Sequence, residues 1–215
     1  MRLEDMKQIT PEDLSKLRPD SDETTKNTKK YLREYLSLTE SDVEKIKLLT
    51  PKDLPSDFRV QYNFLHDERL QDVTIAIVPD NLWVKGDQPS ESTAEKQLVM
   101  IKQSYFRELK KPDEIAWLCH ELAHCQSCLD SESPEEYKGA MGKSAFDDLE
   151  SEYPYPNNPV EQHAFTKQFQ FLKKNEKSRE EISTLLSKYY SEADFPFFNR
   201  LLDQVYDGDK AESHE

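Results

Sequence analysis

Five consecutive residues, His120-Glu121-Leu122-Ala123-His124, carry the residue types and spacing of a hydrolytic metal site. On a helix, residues four apart stand one turn above each other on the same face. The two imidazoles can therefore share one Zn²⁺. Glu121 sits one step round the helix, where its carboxylate can meet a water held by the metal. The pattern predicts a zinc cofactor and zinc-assisted hydrolysis of a peptide bond, with Glu121 as general base. The whole chain holds only five histidines, so two of them at this spacing around a glutamate is a specific signal.

The element carrying these residues is predicted from its surroundings. Lys111-Pro112-Asp113-Glu114 reads as a helix start, with proline in the first turn and acids at the positive end of the dipole. Ile115, Ala116, Trp117, Leu118, Cys119, Leu122, Ala123 and Cys125 surround the motif with apolar side chains, as in a buried helix. Burying two histidines and a glutamate is unfavourable unless they have partners, and a metal with its water supplies them.

A catalytic zinc takes three protein ligands and keeps its fourth position for water or substrate. The sequence offers three candidates for the third ligand. In Asn158-Pro159-Val160-Glu161-Gln162-His163-Ala164, Asn158 reads as an N-cap and Pro159 as the first helical residue. Glu161 then lies in the first turn, with the small Ala164 on its side of the helix. The competing role for Glu161 is a capping box with Asn158. His163 is the second candidate, but it lies about 200° away from Glu161 around the helix, so only one of them can point inward. Asp130, ten residues after His120, is the third, although Ser127 stands where that spacing requires glycine. Glu161 is the preferred reading.

His120-Glu121-x-x-His124 followed by Glu161-x-x-Ala164 resembles the gluzincin branch of the zincin metallopeptidases. The Asn-Pro-x-Glu-x-x-Ala setting is most similar to the minigluzincins. The resemblance spans about residues 70–175. It implies that His120, His124 and Glu161 bind zinc and that Glu121 is the general base. It also implies a mixed sheet whose edge strand, at Leu98 to Lys102, holds the substrate backbone by strand addition. One departure is notable: Phe165 stands where many gluzincins carry an aspartate that supports a zinc-bound histidine, so another group must orient it here. Tyr153, Tyr155 and His163 lie close to the third ligand in sequence, and each is a candidate donor to the oxyanion.

Composition narrows the partners. The net charge is −14, which opposes binding to nucleic-acid phosphates and to anionic membranes. The expected partner is a peptide or protein substrate. No apolar run is long enough for a membrane span, and the first residues lack the apolar core of a secretory signal. Cys119, Cys125 and Cys128 fall on or beside one helix, which is no disulfide framework; they read as reduced thiols in a cytoplasmic protein. Cys128, one turn after His124, is a lesser ligand candidate. As a fourth ligand it would close the site and leave a zinc-binding structural or interaction module. A peptidase held latent by a terminal segment is the other alternative.

The expected class is α+β: a zincin-like small mixed sheet packed on the motif helix, with extra helices at both ends. Residues 1–50 read as a charged helical extension, in which Thr10-Pro11 starts one helix, Tyr31, Leu32, Tyr35 and Leu36 form a stripe, and Ser41-Asp42-Val43-Glu44 caps a helix through Ile46 and Leu49. Residues 51–175 form the catalytic core, with strands at 73–78 and 97–102 separated by a polar loop at 85–96. Residues 130–158 read as an excursion with a short helix near Phe146 to Leu149. Ser178-Arg179-Glu180-Glu181 caps a helix with Ile182, Leu185, Leu186 and Tyr189 on one face, within a C-terminal helical segment at 176–206. Residues 207–215 read as a disordered tail.

Overall fold

The computed structural model describes residues 23–54, 67–86, 88–107, 112–141 and 155–211. In chain order, helices α1 (Glu23–Tyr35) and α2 (Glu40–Val43) precede strands β1 (Lys47–Leu49), β2 (Thr74–Val78), β3 (Ser90–Thr93) and β4 (Leu98–Lys102). Helices α3 (Gln103–Arg107), α4 (Pro112–Asp130), α5 (Pro134–Met141), α6 (Pro159–Lys174), α7 (Arg179–Leu186) and α8 (Phe195–Ala211) follow. Helices and a small mixed sheet in one chain place it in the α+β class. The chain divides into two compact units, residues 1–114 and 115–215. No described helix is long and apolar enough to cross a membrane. Thr10-Pro11, Phe146 to Leu149 and Tyr153 lie outside the described residues.

In the first unit the sheet runs β1-β2-β4-β3, with β2 and β4 parallel and both outer pairs antiparallel. The β-branched run of β2 pairs Ile75 with Val99 and Ile77 with Ile101. Ile75, Ala76, Ile77, Val78 and Leu98 through Ile101 are all buried, on both faces of the sheet, which explains why these strands read as continuous apolar runs. Ala76, Val78, Leu98 and Met100 share one core with Leu32 and Leu36 of α1 and with Val43 and Ile46.

Three expectations in this unit are corrected. Leu98 to Lys102 is no edge strand: β3 pairs along it, Ser90 opposite Ile101 and Thr93 opposite Leu98. The stretch 85–96, expected to be loop, contains β3. Ser-Glu-Ser-Thr carries no apolar alternation, because an edge strand takes its stability from the backbone ladder. Residues 47–49 are strand rather than helix. The cap there is Thr39, whose side chain accepts from the Asp42 N–H, two residues ahead of the expected Ser41.

In the second unit, α6 packs against α5, α7 and α8. Phe165 of α6 meets Phe197 and Phe198 of α8 edge-on, Phe169 meets Phe198 edge-on, and the Phe165 and Phe169 rings are tilted to each other. Edge-to-face pairs of this kind add about 0.5–1.5 kcal/mol each beyond their buried area. The Ser178 capping box is present, and Ile182, Leu185 and Leu186 are buried. Tyr189 is exposed, because α7 stops at Leu186. Two further corrections arise. Helix α5 occupies part of the expected excursion, started by Ser133, whose hydroxyl accepts from the Glu136 N–H at 3.1 Å. Helix α8 runs past Asp207 to Ala211, where a disordered tail was expected.

Candidate metal centre

The motif helix α4 is buried without interruption from Ile115 to Cys125. His120 and His124 are 5% and 4% exposed, and Glu121 is 8% exposed, so the polar motif lies inside the protein. The four-residue spacing brings the two imidazoles together, with Nε2 atoms 3.0 Å apart.

Helix α6 supplies the third group. The Asn158 side chain accepts from the Glu161 backbone N–H at 2.8 Å, and Pro159 opens the helix. The Glu161 carboxylate takes no part in the cap. It stands 3.3 Å from His120 Nε2 and 3.6 Å from His124 Nε2. Ala164, one turn on, is fully buried. Ligand atoms of His120, His124 and Glu161 lie within 4.8 Å of one another, a buried group able to hold a metal ion.

The donor set suits a tetrahedral ion. Donors about 2.05 Å from a common tetrahedral centre are about 3.3 Å apart, and the three observed separations bracket that figure. Hydrogen bonding points the same way. Gln168 Oε1 lies 3.1 Å from His120 Nδ1 and can only accept, so Nδ1 carries the proton and the neutral ring offers its Nε2 lone pair. His124 Nδ1 and Glu161 Oε2 are buried without a hydrogen-bond partner among the described residues. The Glu161 oxygens and the two Nε2 atoms converge on one point, an arrangement that a cation satisfies, whereas His124 Nδ1 lies on the far edge of its ring.

The electrostatics follow from burial. Desolvation lowers the His124 pKa to about 4, partly opposed by the Glu161 charge. Burial likewise lowers His120, and it raises the Glu161 carboxyl against the pull of His124. Both histidines are held neutral, the form in which imidazole binds a metal.

The other expected groups fall elsewhere. His163 is hydrogen-bonded through Nε2 to Gln126, 3.1 Å away, and does not join the cluster. Asp130 is exposed at the end of α4, and Cys128 is half-buried; neither belongs to the converging group. Cys119 and Cys125 are fully buried, and desolvation pushes the Cys125 thiol up, as in an inert core thiol. Tyr155 is 40% exposed, with its hydroxyl 3.1 Å from that of Tyr190. Burial, then the Glu161 charge, raises the Tyr155 phenol, and Glu121 adds to the effect.

Gln168 and Tyr190 were not anticipated. Gln168 had a signal: it lies seven residues after Glu161 and four after Ala164, so it shares their face of α6. A polar residue at that place on a buried face called for a partner. Tyr190 had none, since it follows α7 in a segment without periodicity. No protein-family model matches the chain, and no curated protein or solved structure matches it.

Proposed function

We propose that the protein is a zinc metallopeptidase with a zincin-like, gluzincin-type site. The observation that carries this reading is the convergence of His120, His124 and Glu161, with Glu121 beside His120 on the same buried helix. Three is the number of ligands that a catalytic zinc takes from protein, whereas closed structural sites take four.

In this reading His120, His124 and Glu161 hold the ion. When bound, zinc supplies Lewis acidity to a water and to the scissile carbonyl. Glu121 takes the proton of the attacking water and returns it to the leaving amine. Tyr155 is the preferred oxyanion donor among the three expected groups. Its phenol keeps its proton near neutral pH and senses both Glu161 and Glu121. His163 is engaged with Gln126.

The test compares the zinc-loaded chain with Glu121→Gln on an unstructured protein substrate. Wild type should cleave it, and the variant should lose about 100-fold or more while keeping its zinc. Equal cleavage by both would refute the enzymatic reading.

A further inference from the structure

The sequence places Phe165 where an acidic partner for a zinc-bound histidine would be expected, and Phe165 packs edge-on against His120, with ring centroids 4.5 Å apart. His120 Nδ1 donates instead to Gln168 Oε1, one turn further along α6, at 3.1 Å. We propose that Gln168 is a positioning residue that fixes the metal-binding tautomer of His120 through a neutral acceptor. This rests on the reading of His120, His124 and Glu161 as metal ligands.

Two observations support a role beyond packing. Gln168 is fully buried, where every amide atom left unpaired costs stability. Its amide is half satisfied: Oε1 faces His120, while Nε2 is buried with no hydrogen-bond partner among the described residues. A side chain kept for stability alone would pair both ends or be replaced by an apolar residue of similar volume. The chain thus retains a buried amide group whose one engaged atom addresses a metal-ligand candidate.

The chemistry of the acceptor has its own consequence. A carboxylate behind a histidine increases the basicity of the opposite nitrogen and tightens metal binding. An amide oxygen carries no net charge. It orients the ring equally well and leaves His120 a weaker donor, so the ion keeps more of its Lewis acidity and is held less tightly.

The experiment measures zinc affinity by competition with a chromophoric chelator, and the thermal midpoint of the metal-free chain, for wild type, Gln168→Met and Gln168→Glu. Wild type should bind one zinc. Gln168→Met should weaken zinc about 10- to 100-fold while leaving the metal-free midpoint unchanged or higher. Gln168→Glu should bind zinc at least as tightly as wild type. Affinity within about threefold of wild type in Gln168→Met, or failure of Gln168→Glu to restore affinity, would overturn the assignment while leaving the metal site standing. A wild type that binds no zinc would overturn the metal reading and this assignment with it.

Discussion

The Glu161 backbone donates to the Asn158 side chain at 2.8 Å, while the Glu161 carboxylate faces the two histidines. One residue thus serves the helix terminus with its main chain and the site with its side chain. Asn158 itself is 1% exposed, so its cap is unavailable to competing water. Asn158→Ala should cost about 1–2 kcal/mol of stability and weaken zinc binding, because the first turn of α6 aims the carboxylate. Asn158→Ser should recover most of both, as read by urea unfolding and zinc titration.

Removal of a ligand should have a larger effect. His120→Ala should bind zinc at least about 100-fold more weakly than wild type. Metal stripping should destabilise wild type by about 3 kcal/mol relative to zinc at a hundred times its dissociation constant. The same chelation should leave the thermal midpoint of His120→Ala unmoved.

The metal-free chain should lose stability in acid. An unfolded histidine takes up its proton near pH 6.5, whereas His124 in the folded chain does so only near pH 4. Between those values the unfolded state binds more protons. The stability held by neutral His124 is therefore fully present above about pH 6.5 and is lost as pH falls toward 4. The loss should reach about 3 kcal/mol, and His124→Gln should flatten it in urea titrations at pH 7 and pH 4.5.

Tyr155→Phe tests the oxyanion assignment. The variant should retain zinc and thermal midpoint, because the residue is 40% exposed and its hydroxyl's hydrogen-bond partner is another phenol. Its kcat should fall about 10²- to 10³-fold, with KM little changed. Unchanged kcat would remove Tyr155 from the reaction.

Phe165 links the site to the core. Its ring meets His120, Phe169, Tyr190, Phe197 and Phe198. Phe165→Ala should destabilise the chain by about 3–5 kcal/mol and weaken zinc binding as His120 loses its packing. Thermal unfolding with and without zinc separates the two effects.

What the sequence made legible follows physical rules of short range. The i, i+4 histidines, the Asn158-Pro159 helix start and the Ser178 capping box are local, and each forms as read. The buried strands β2 and β4 were visible because apolar residues on both faces leave no other interpretation. The misses depend on distant partners. Strand β3 is polar and exists through its pairing with β4. Helix α5 had its Ser133-Pro134 start, but its apolar content is low. Gln168 acquires its significance only when α6 lies beside α4, and Tyr155 gains its place from Glu161 and Tyr190 rather than from neighbours in sequence.

The makeup of the sheet's borders also bears on solubility. Its two inner strands, with Ile75, Ile77, Val99 and Ile101, would be adhesive if uncovered. Among the described residues, one border is the three-residue β1 and the other is Ser90-Glu91-Ser92-Thr93. A short border and a hydrophilic one bearing a charge are poor templates for a second chain. The segment with the least recognisable strand pattern thus shields one side of the apolar inner strands from edge-to-edge polymerisation.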